Sequence, residues 1–173
     1  CVLDETSLRR NLFIGEQLSI HNDALLPSNV FVQRKLLVQD DTDLRSNVYI
    51  GQHLSVNEDA FFSNEVFVRD KLSVGREVFF QSNMQIIGQL SVLNDTSLRS
   101  NLFIGEKLSI HNDAFFRSNV FVQRKISVQD DTDLIGNVFI GQHLTVNEDV
   151  FFSNEVYVRN KLSVGREVFF QST

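Results

Sequence analysis

The sequence is poor in several residue types whose presence would indicate particular protein classes. A single cysteine excludes an internal disulfide framework and a cysteine-rich metal site. The chain has 1 Pro, 8 Gly and no Trp, and no apolar run approaches the roughly 20 residues of a membrane span. Basic clusters are also lacking and the net charge is −6, so we expect no nucleic acid partner and no membrane insertion.

The residues that are present, including 16 Phe, follow an internal repeat. Residues 1–83 align with residues 91–173 without a gap, and 65 of these 83 positions are identical. Copies this similar indicate recent duplication within a longer array. We therefore interpret residues 1–173 as one continuous repeat array, formed by the super-repeats 1–90 and 91–173. It lacks atypical capping coils at its ends, which predicts a segment of a longer protein.

Each super-repeat consists of five eighteen-residue units, and we call each unit a coil. Positions are numbered from the leading acidic residue of a coil. Apolar or small residues occupy positions 2 and 4, 8 and 10, and 14 and 16. Two successive coils illustrate the pattern: DALLPSNVFVQRKLLVQD (23–40) and DTDLRSNVYIGQHLSVNE (41–58). No coil carries an insertion, so the pattern predicts one uniform structural unit.

Apolar residues two apart lie on the same face of a β-strand, whereas a helix requires a spacing of three or four. Polar strings such as RSN, GQH and NED separate the pairs, so each coil is predicted to contain three short strands and three corners. Stacked coils then enclose a continuous apolar interior. We predict an all-β fold, a triangular β-solenoid (β-helix). It is wound either by one chain or as an interleaved trimeric triple β-helix.

Position 9 lies between two inward positions, so its side chain must point outward. We predict self-association through the aromatic residues at this position: Phe13, Phe31, Tyr49, Phe67, Phe103, Phe121, Phe139 and Tyr157. Position 3 adds a second outward set: Phe61, Phe79, Phe115, Phe151 and Phe169. An exposed ladder of this length exceeds the apolar patches of most monomers. Two other interpretations are stacking within the chain that shields neighbouring coils, and sugar binding.

Position 1 is acidic in every coil: Glu5, Asp23, Asp41, Asp59, Glu77, Asp95, Asp113, Asp131, Asp149 and Glu167. We expect these carboxylates to accept hydrogen bonds from corner backbone N–H groups, as in Asx turns. Weak candidates for a calcium ladder are the four aspartates that follow another acidic residue: Asp41, Asp59, Asp131 and Asp149. The glycine-rich nonapeptide of calcium-binding β-rolls is absent, so we predict no metal site and no cofactor.

The remaining polar residues are interpreted as structural. Position 7 is mostly Asn, which tolerates a left-handed backbone at corners and can form amide ladders. The histidines His21, His53, His111 and His143 are expected at corners. Cys1 is replaced by Ser91 in the second super-repeat, which argues against a nucleophile, and no inserted loop interrupts a coil. We therefore predict that the protein is not an enzyme.

Two strings carry a resemblance to known proteins. DTSLRSNLFIGEKLSI (95–110) and NDAFFRSNVFV (112–122) resemble the short β-repeats in shaft regions of phage and algal-virus fibre and surface proteins. That resemblance implies a rigid shaft, often trimeric. The apolar pairs recur every six residues within a coil, and this period also resembles the β-helix of hexapeptide acyltransferases. The glycine-rich, small-residue corners of that family are mostly missing here. Bacterial bactofilins, whose β-helical units polymerise end to end, differ in having Gly-rich, Phe-poor repeats.

These observations predict a structural protein that forms a rigid fibre or filament. The coils stack, and the exposed aromatic ladders mediate self-association into a homo-oligomer or filament. The expected location is extracellular, or an appendage on a virion or cell surface. The alternative is an adhesin or receptor-binding fibre shaft that uses the aromatic face to bind a foreign partner or a glycan.

Overall fold

The computed structural model describes residues 6–7 and 10–171, and every regular element among them is a β-strand. The strands form three parallel sheets of 10, 9 and 9 strands. Each coil contributes one strand to each sheet, so the three sheets form the sides of a triangular rod. The predicted all-β fold and β-solenoid architecture are therefore confirmed.

The three sheets correspond to the three apolar pairs of each coil. Sheet one contains Thr6–Ser7, Ala24–Leu26, Thr42–Leu44, Ala60–Phe62, Val78–Phe80, Thr96–Leu98, Ala114–Phe116, Thr132–Leu134, Val150–Phe152 and Val168–Phe170. Sheet two contains Leu12–Ile14, Val30–Val32, Val48–Ile50, Val66–Val68, Met84–Ile86, Leu102–Ile104, Val120–Val122, Val138–Ile140 and Val156–Val158. Sheet three contains Gln17–Ile20, Lys35–Val38, His53–Val56, Lys71–Val74, Gln89–Val92, Lys107–Ile110, Lys125–Val128, His143–Val146 and Lys161–Val164.

Strand pairing follows the coil length without a shift in register. Ala60 lies between Thr42 and Val78, each one coil away in the sequence. The same offset holds in sheet three, where Lys71 lies between His53 and Gln89. Paired strands thus belong to successive coils of one chain, as in the single-chain solenoid. In an interleaved trimer, the neighbouring strands would belong to other chains.

The interior is filled by columns of identical or similar side chains. Position 4 supplies the largest ones, and the Phe62 and Phe80 rings stack at 4.6 Å between centroids. Both rings are at most 1% exposed. Each such side chain contributes roughly 1.5–3 kcal/mol when buried, which is what keeps strands of only three or four residues in place.

Position 2 places a hydroxyl in this apolar interior in three coils. Thr42, Thr96 and Thr132 are at most 2% exposed. The Oγ1 atom of each has no hydrogen-bond partner. An unpaired buried hydroxyl destabilises a folded protein. These threonines are therefore weak points of an otherwise apolar core.

The corners turn without left-handed residues. No residue among 6–7 and 10–171 has a positive φ, so the predicted left-handed backbone at Asn corners is wrong. The Asn side chains act between coils instead. The N–H of Asn47 donates to Oδ1 of Asn29 at 3.3 Å, and the N–H of Asn137 donates to Oδ1 of Asn119 at 3.1 Å. Asn is favoured here because its short amide reaches the next coil.

Candidate functional site

The aromatic ladder is the set of ring residues predicted for self-association, and it lies on the outer face of sheet two. The parallel register places each ring beside the ring of the next coil, as for Phe121 and Phe139. These two rings stack at 4.9 Å with an angle of 5° between their planes. Phe31 and Tyr49 stack at 4.8 Å and 6°. Stacked rings cover each other's faces, so they present mainly their edges to solvent.

The ladder remains partly open to solvent along its length. Tyr49 is 37% exposed, Phe139 is 36% exposed and Tyr157 is 56% exposed. Stacking within the chain is thus observed, but it leaves an apolar strip on the surface. Strips of this kind mark interaction surfaces more often than they remain bare.

Gln85 interrupts the ladder. It is in register with Phe67 on one side and Phe103 on the other. The rings therefore form two stacks, one ending at Phe67 and one beginning at Phe103. One face of each of these two rings lacks an aromatic neighbour.

A groove of about 950 Å³ runs beside the aromatic ladder. Its walls are ring residues of the ladder and the Asn residues of position 7, among them Asn29, Asn47 and Asn101. Amide groups thus lie next to aromatic edges over several coils. This arrangement suits an extended occupant better than a compact one.

The outer face of sheet one carries a shorter and more interrupted aromatic set. Phe61 and Phe79 stack at 5.2 Å. Arg99 lies over the Phe79 ring with its guanidinium carbon 5.0 Å from the centroid. Arg117 lies over the Phe115 ring at 5.2 Å. These arginines were not singled out from the sequence, and each cation–π contact covers a ring face that would otherwise be open.

An acidic residue interrupts the aromatic set of sheet one once in each super-repeat. Asp43 is paired with Arg45, whose Nη2 atom lies 2.9 Å from Oδ2. Asp133 occupies the equivalent place, beside Phe115 and Phe151, but Ile135 replaces the arginine. Burial raises the pKa of the Asp133 carboxyl above its ordinary value of 3.8. The sequence reads DTDLRS at 41–46 and DTDLIG at 131–136, and a comparison of the two could have revealed that Asp133 lacks the arginine partner of Asp43.

We call the border between sheets three and one the acidic edge. Thirteen of the acidic residues that the structure describes lie on it: Asp23, Asp40, Asp41, Glu58, Asp59, Glu77, Asp95, Asp113, Asp130, Asp131, Glu148, Asp149 and Glu167. Two arginines on this edge are each paired with the acidic residue one coil earlier, Arg76 with Glu58 and Arg166 with Glu148, both at 2.5 Å. The edge is therefore strongly negative overall.

The position 1 carboxylates on this edge accept backbone hydrogen bonds, as predicted, but not within an Asx turn. The N–H of Asp59 donates to Oδ1 of Asp41 at 3.0 Å. The N–H of Asp149 donates to Oδ1 of Asp131 at the same distance. Each donor belongs to the next coil, so the side chains tie successive coils together. Glu5, the first of the predicted series, lies outside the described residues, as does Cys1.

The four calcium candidates belong to this hydrogen-bonded series. Asp59 and Asp149 accept N–H donors from Glu77 and Glu167, both at 3.0 Å. One oxygen of each candidate is thus engaged by the backbone. The part of the chain that the structure describes has no group of three or more His, Cys, Asp or Glu that could hold a metal ion.

We call the border between sheets two and three the basic edge. Nine of the 16 basic residues lie on it: Arg34, Lys35, Arg69, Lys71, Lys107, Arg124, Lys125, Arg159 and Lys161. His53 and His143 begin strands of sheet three on this edge, so the corner prediction holds only for His21 and His111. The outer face of sheet three between the two edges carries mainly serine, including Ser73, Ser91 and Ser109.

The described segments 6–7 and 10–171 contain no helix with the length and hydropathy that a membrane-spanning helix needs. No protein-family model, curated protein or solved structure matches this chain.

Proposed function

We propose that the protein is structural, a rigid rod that self-associates into a fibre or filament. The observation that carries the proposal is the uniform register of one coil from the Thr6–Ala24 pair to the Phe152–Phe170 pair. The outward side chains of such a rod form columns that continue from coil to coil. Two copies can therefore contact each other along the length of the rod through one kind of contact. The resemblance to fibre shafts supports the same role and a location outside the cell or on a virion.

The aromatic ladder is the proposed contact between copies. Its rings stack at 4.8–5.1 Å over most of the rod, close to the strand spacing of about 4.8 Å. A second ladder of the same spacing can pack its ring edges against these ring edges without loss of register. Burial of the exposed ring edges then stabilises the contact by roughly 25 cal/mol per Å² of apolar area.

The test is the double variant Phe121→Ser, Phe139→Ser. Both side chains point outward, so the coil should remain folded, but association should weaken because the central rings of one stack are lost. Sedimentation velocity measures the association, and circular dichroism checks the fold. The matched control is Phe61→Ser, Phe79→Ser, which removes a stacked pair from sheet one. Unchanged association of the Phe121, Phe139 variant would contradict the proposed contact.

Electron micrographs of assembled fibres supply a second readout. Five coils of a single-chain solenoid advance about 24 Å, so the super-repeat should produce a layer line at that spacing. Interleaving of three chains would stretch the same repeat to about 72 Å. The longer repeat would contradict the single-chain rod.

A second candidate function, an adhesin or receptor-binding shaft, is supported by the groove beside the aromatic ladder. The groove combines Asn amides with ring edges, and an extended glycan or peptide could occupy it. Sugar rings usually pack on aromatic faces, and the Gln85 interruption leaves one face of Phe67 and one face of Phe103 without an aromatic neighbour. Calorimetry with soluble oligosaccharides tests this candidate, and saturable binding by the unsubstituted protein would favour it.

A further inference from the structure

The outer face of sheet three is bordered by charges of opposite sign. The basic edge lies along one side of it and the acidic edge along the other. The acidic edge carries a carboxylate at position 1 of every described coil, whereas the basic edge carries Lys or Arg in five of its nine coils and also includes Glu16, Asp70 and Glu106. The serine side chains between them are small, so a flat surface could approach this face closely.

Opposite charges are matched within two coils, whereas the coils of Lys71 and Lys161 carry Arg76 and Arg166 at the same place on the acidic edge. Lys35 and Asp40 flank the strand Lys35–Val38, one at each edge. Lys125 and Asp130 flank the strand Lys125–Val128 in the second super-repeat in the same way. None of these four side chains forms an ion pair or side-chain hydrogen bond within residues 10–171. Their charges are therefore free to meet a partner.

We propose that the outer face of sheet three binds the same face of a second copy, with the two rods parallel. A two-fold axis along the rods turns one copy so that its basic edge faces the acidic edge of the other. Lys125 then lies opposite Asp130 of the second copy, and the reverse pair forms at the other border. An antiparallel arrangement places like edges together, which costs free energy.

The area of the face agrees with a weak, salt-sensitive dimer. Sheet three has nine strands, so it extends about 43 Å along the rod and, with four residues per strand, about 13 Å across. Two such faces bury roughly 1,100 Å² together, near the lower limit for specific interfaces. Exposed ion pairs contribute little each, so the contact depends on their number and on ionic strength.

This inference deepens the proposed self-association, because it gives the rod a second contact surface besides the aromatic ladder. The two surfaces lie on different sheets, so a fibre could grow sideways through both. Each surface must therefore be tested in the absence of the other. All variants below are made in the Phe121→Ser, Phe139→Ser background.

The test reverses charge on one edge at a time. One variant carries Lys35→Glu and Lys125→Glu, and the other carries Asp40→Lys and Asp130→Lys. We expect each to weaken the dimer at least tenfold in sedimentation equilibrium at about 50 mM salt, because four ion pairs per dimer become repulsive. An equimolar mixture of the two should restore a species of two chains, since both borders then pair opposite charges.

Two controls keep the outcomes distinct. Lys35→Gln with Lys125→Gln removes charge without reversing it and should weaken the dimer less. Equal thermal midpoints for all variants show that the fold is intact. The inference is overturned if reversal leaves the dimer unchanged, or if the mixture grows beyond two chains, which indicates edge-to-edge packing. Failure of the aromatic contact is a separate result. In that case the Phe121→Ser, Phe139→Ser variant associates as strongly as the unsubstituted protein.

Discussion

The corner at Gly141 gives the sharpest test of how closely the coils stack. A β-carbon at this residue would lie 2.0 Å from the carbonyl oxygen of Gln123, in the coil before. The corner cannot simply move away, because two backbone hydrogen bonds hold it. The N–H of Gly141 donates to the oxygen of Val122 at 2.9 Å, and the N–H of Gln142 donates to that of Arg124 at 3.0 Å.

The expected cost of Gly141→Ala follows from this geometry. Ordinary van der Waals contact for a β-carbon begins near 3.4 Å, so the corner must shift by more than about 1 Å. Overpacking of this kind costs roughly 1–3 kcal/mol, and the two stretched hydrogen bonds cost about 1 kcal/mol more. We expect a total loss of about 2–4 kcal/mol in the free energy of unfolding. Urea denaturation followed by circular dichroism measures it.

Gly15→Ala is the matched control, since Gly15 occupies the same coil position. Among the described residues no coil is stacked before that of Gly15, so a β-carbon there would meet only the flexible amide oxygen of Gln33, at 3.8 Å. The substitution should be neutral or stabilise by up to about 1 kcal/mol, because alanine restricts the unfolded chain. If both variants unfold at the same urea concentration, the reasoning is refuted. Ile87 occupies the same coil position as Gly141. The Gly141 corner would then have adopted the backbone geometry that accommodates the Ile87 side chain.

Two further predictions concern polar groups without partners. Thr132→Val should stabilise the protein by about 1 kcal/mol, because it removes an unpaired buried hydroxyl. Val150, at the same position of the next coil, shows that valine fits there. A lower thermal midpoint of the variant would show that the hydroxyl has a partner. The raised pKa of Asp133 means that the folded protein holds this proton more tightly than the unfolded chain, so stability decreases as pH rises from 3.8 through the raised pKa. Asp133→Asn should remove this decrease and raise the midpoint at neutral pH, whereas Asp43→Asn should raise the midpoint less, because Asp43 has an arginine partner. Equal effects of the two variants would contradict the reasoning.

The solenoid could be predicted because strand geometry is a property of the backbone. Val66 and Val68 are two residues apart, so they share a face in any strand, and Phe67 between them must face outward. Repetition of this pattern in every coil predicts a triangular β-helix, wound by one chain or by three, in which the apolar side chains are covered. The aromatic ladder could be placed on the surface by the same argument.

The corners could not be predicted in the same way. Local preference suggested a left-handed backbone for Asn and Asx turns for Asp. In the structure, the side chains of Asn119 and Asp131 accept N–H donors from the next coil instead. That partner is a full coil away in the sequence, so it becomes available only when the coils have stacked.

The sequence by itself therefore determined the strands, their inward and outward faces, and the length of each coil. These features depend on the alternation of side chains along an extended backbone. Only the tertiary structure decided which groups meet across coils. It brought the N–H groups of one coil to the Asn and Asp side chains of the coil before, and it placed Arg99 over the Phe79 ring. The physical reason is that such contacts depend on the distance and register between coils, which no single coil contains.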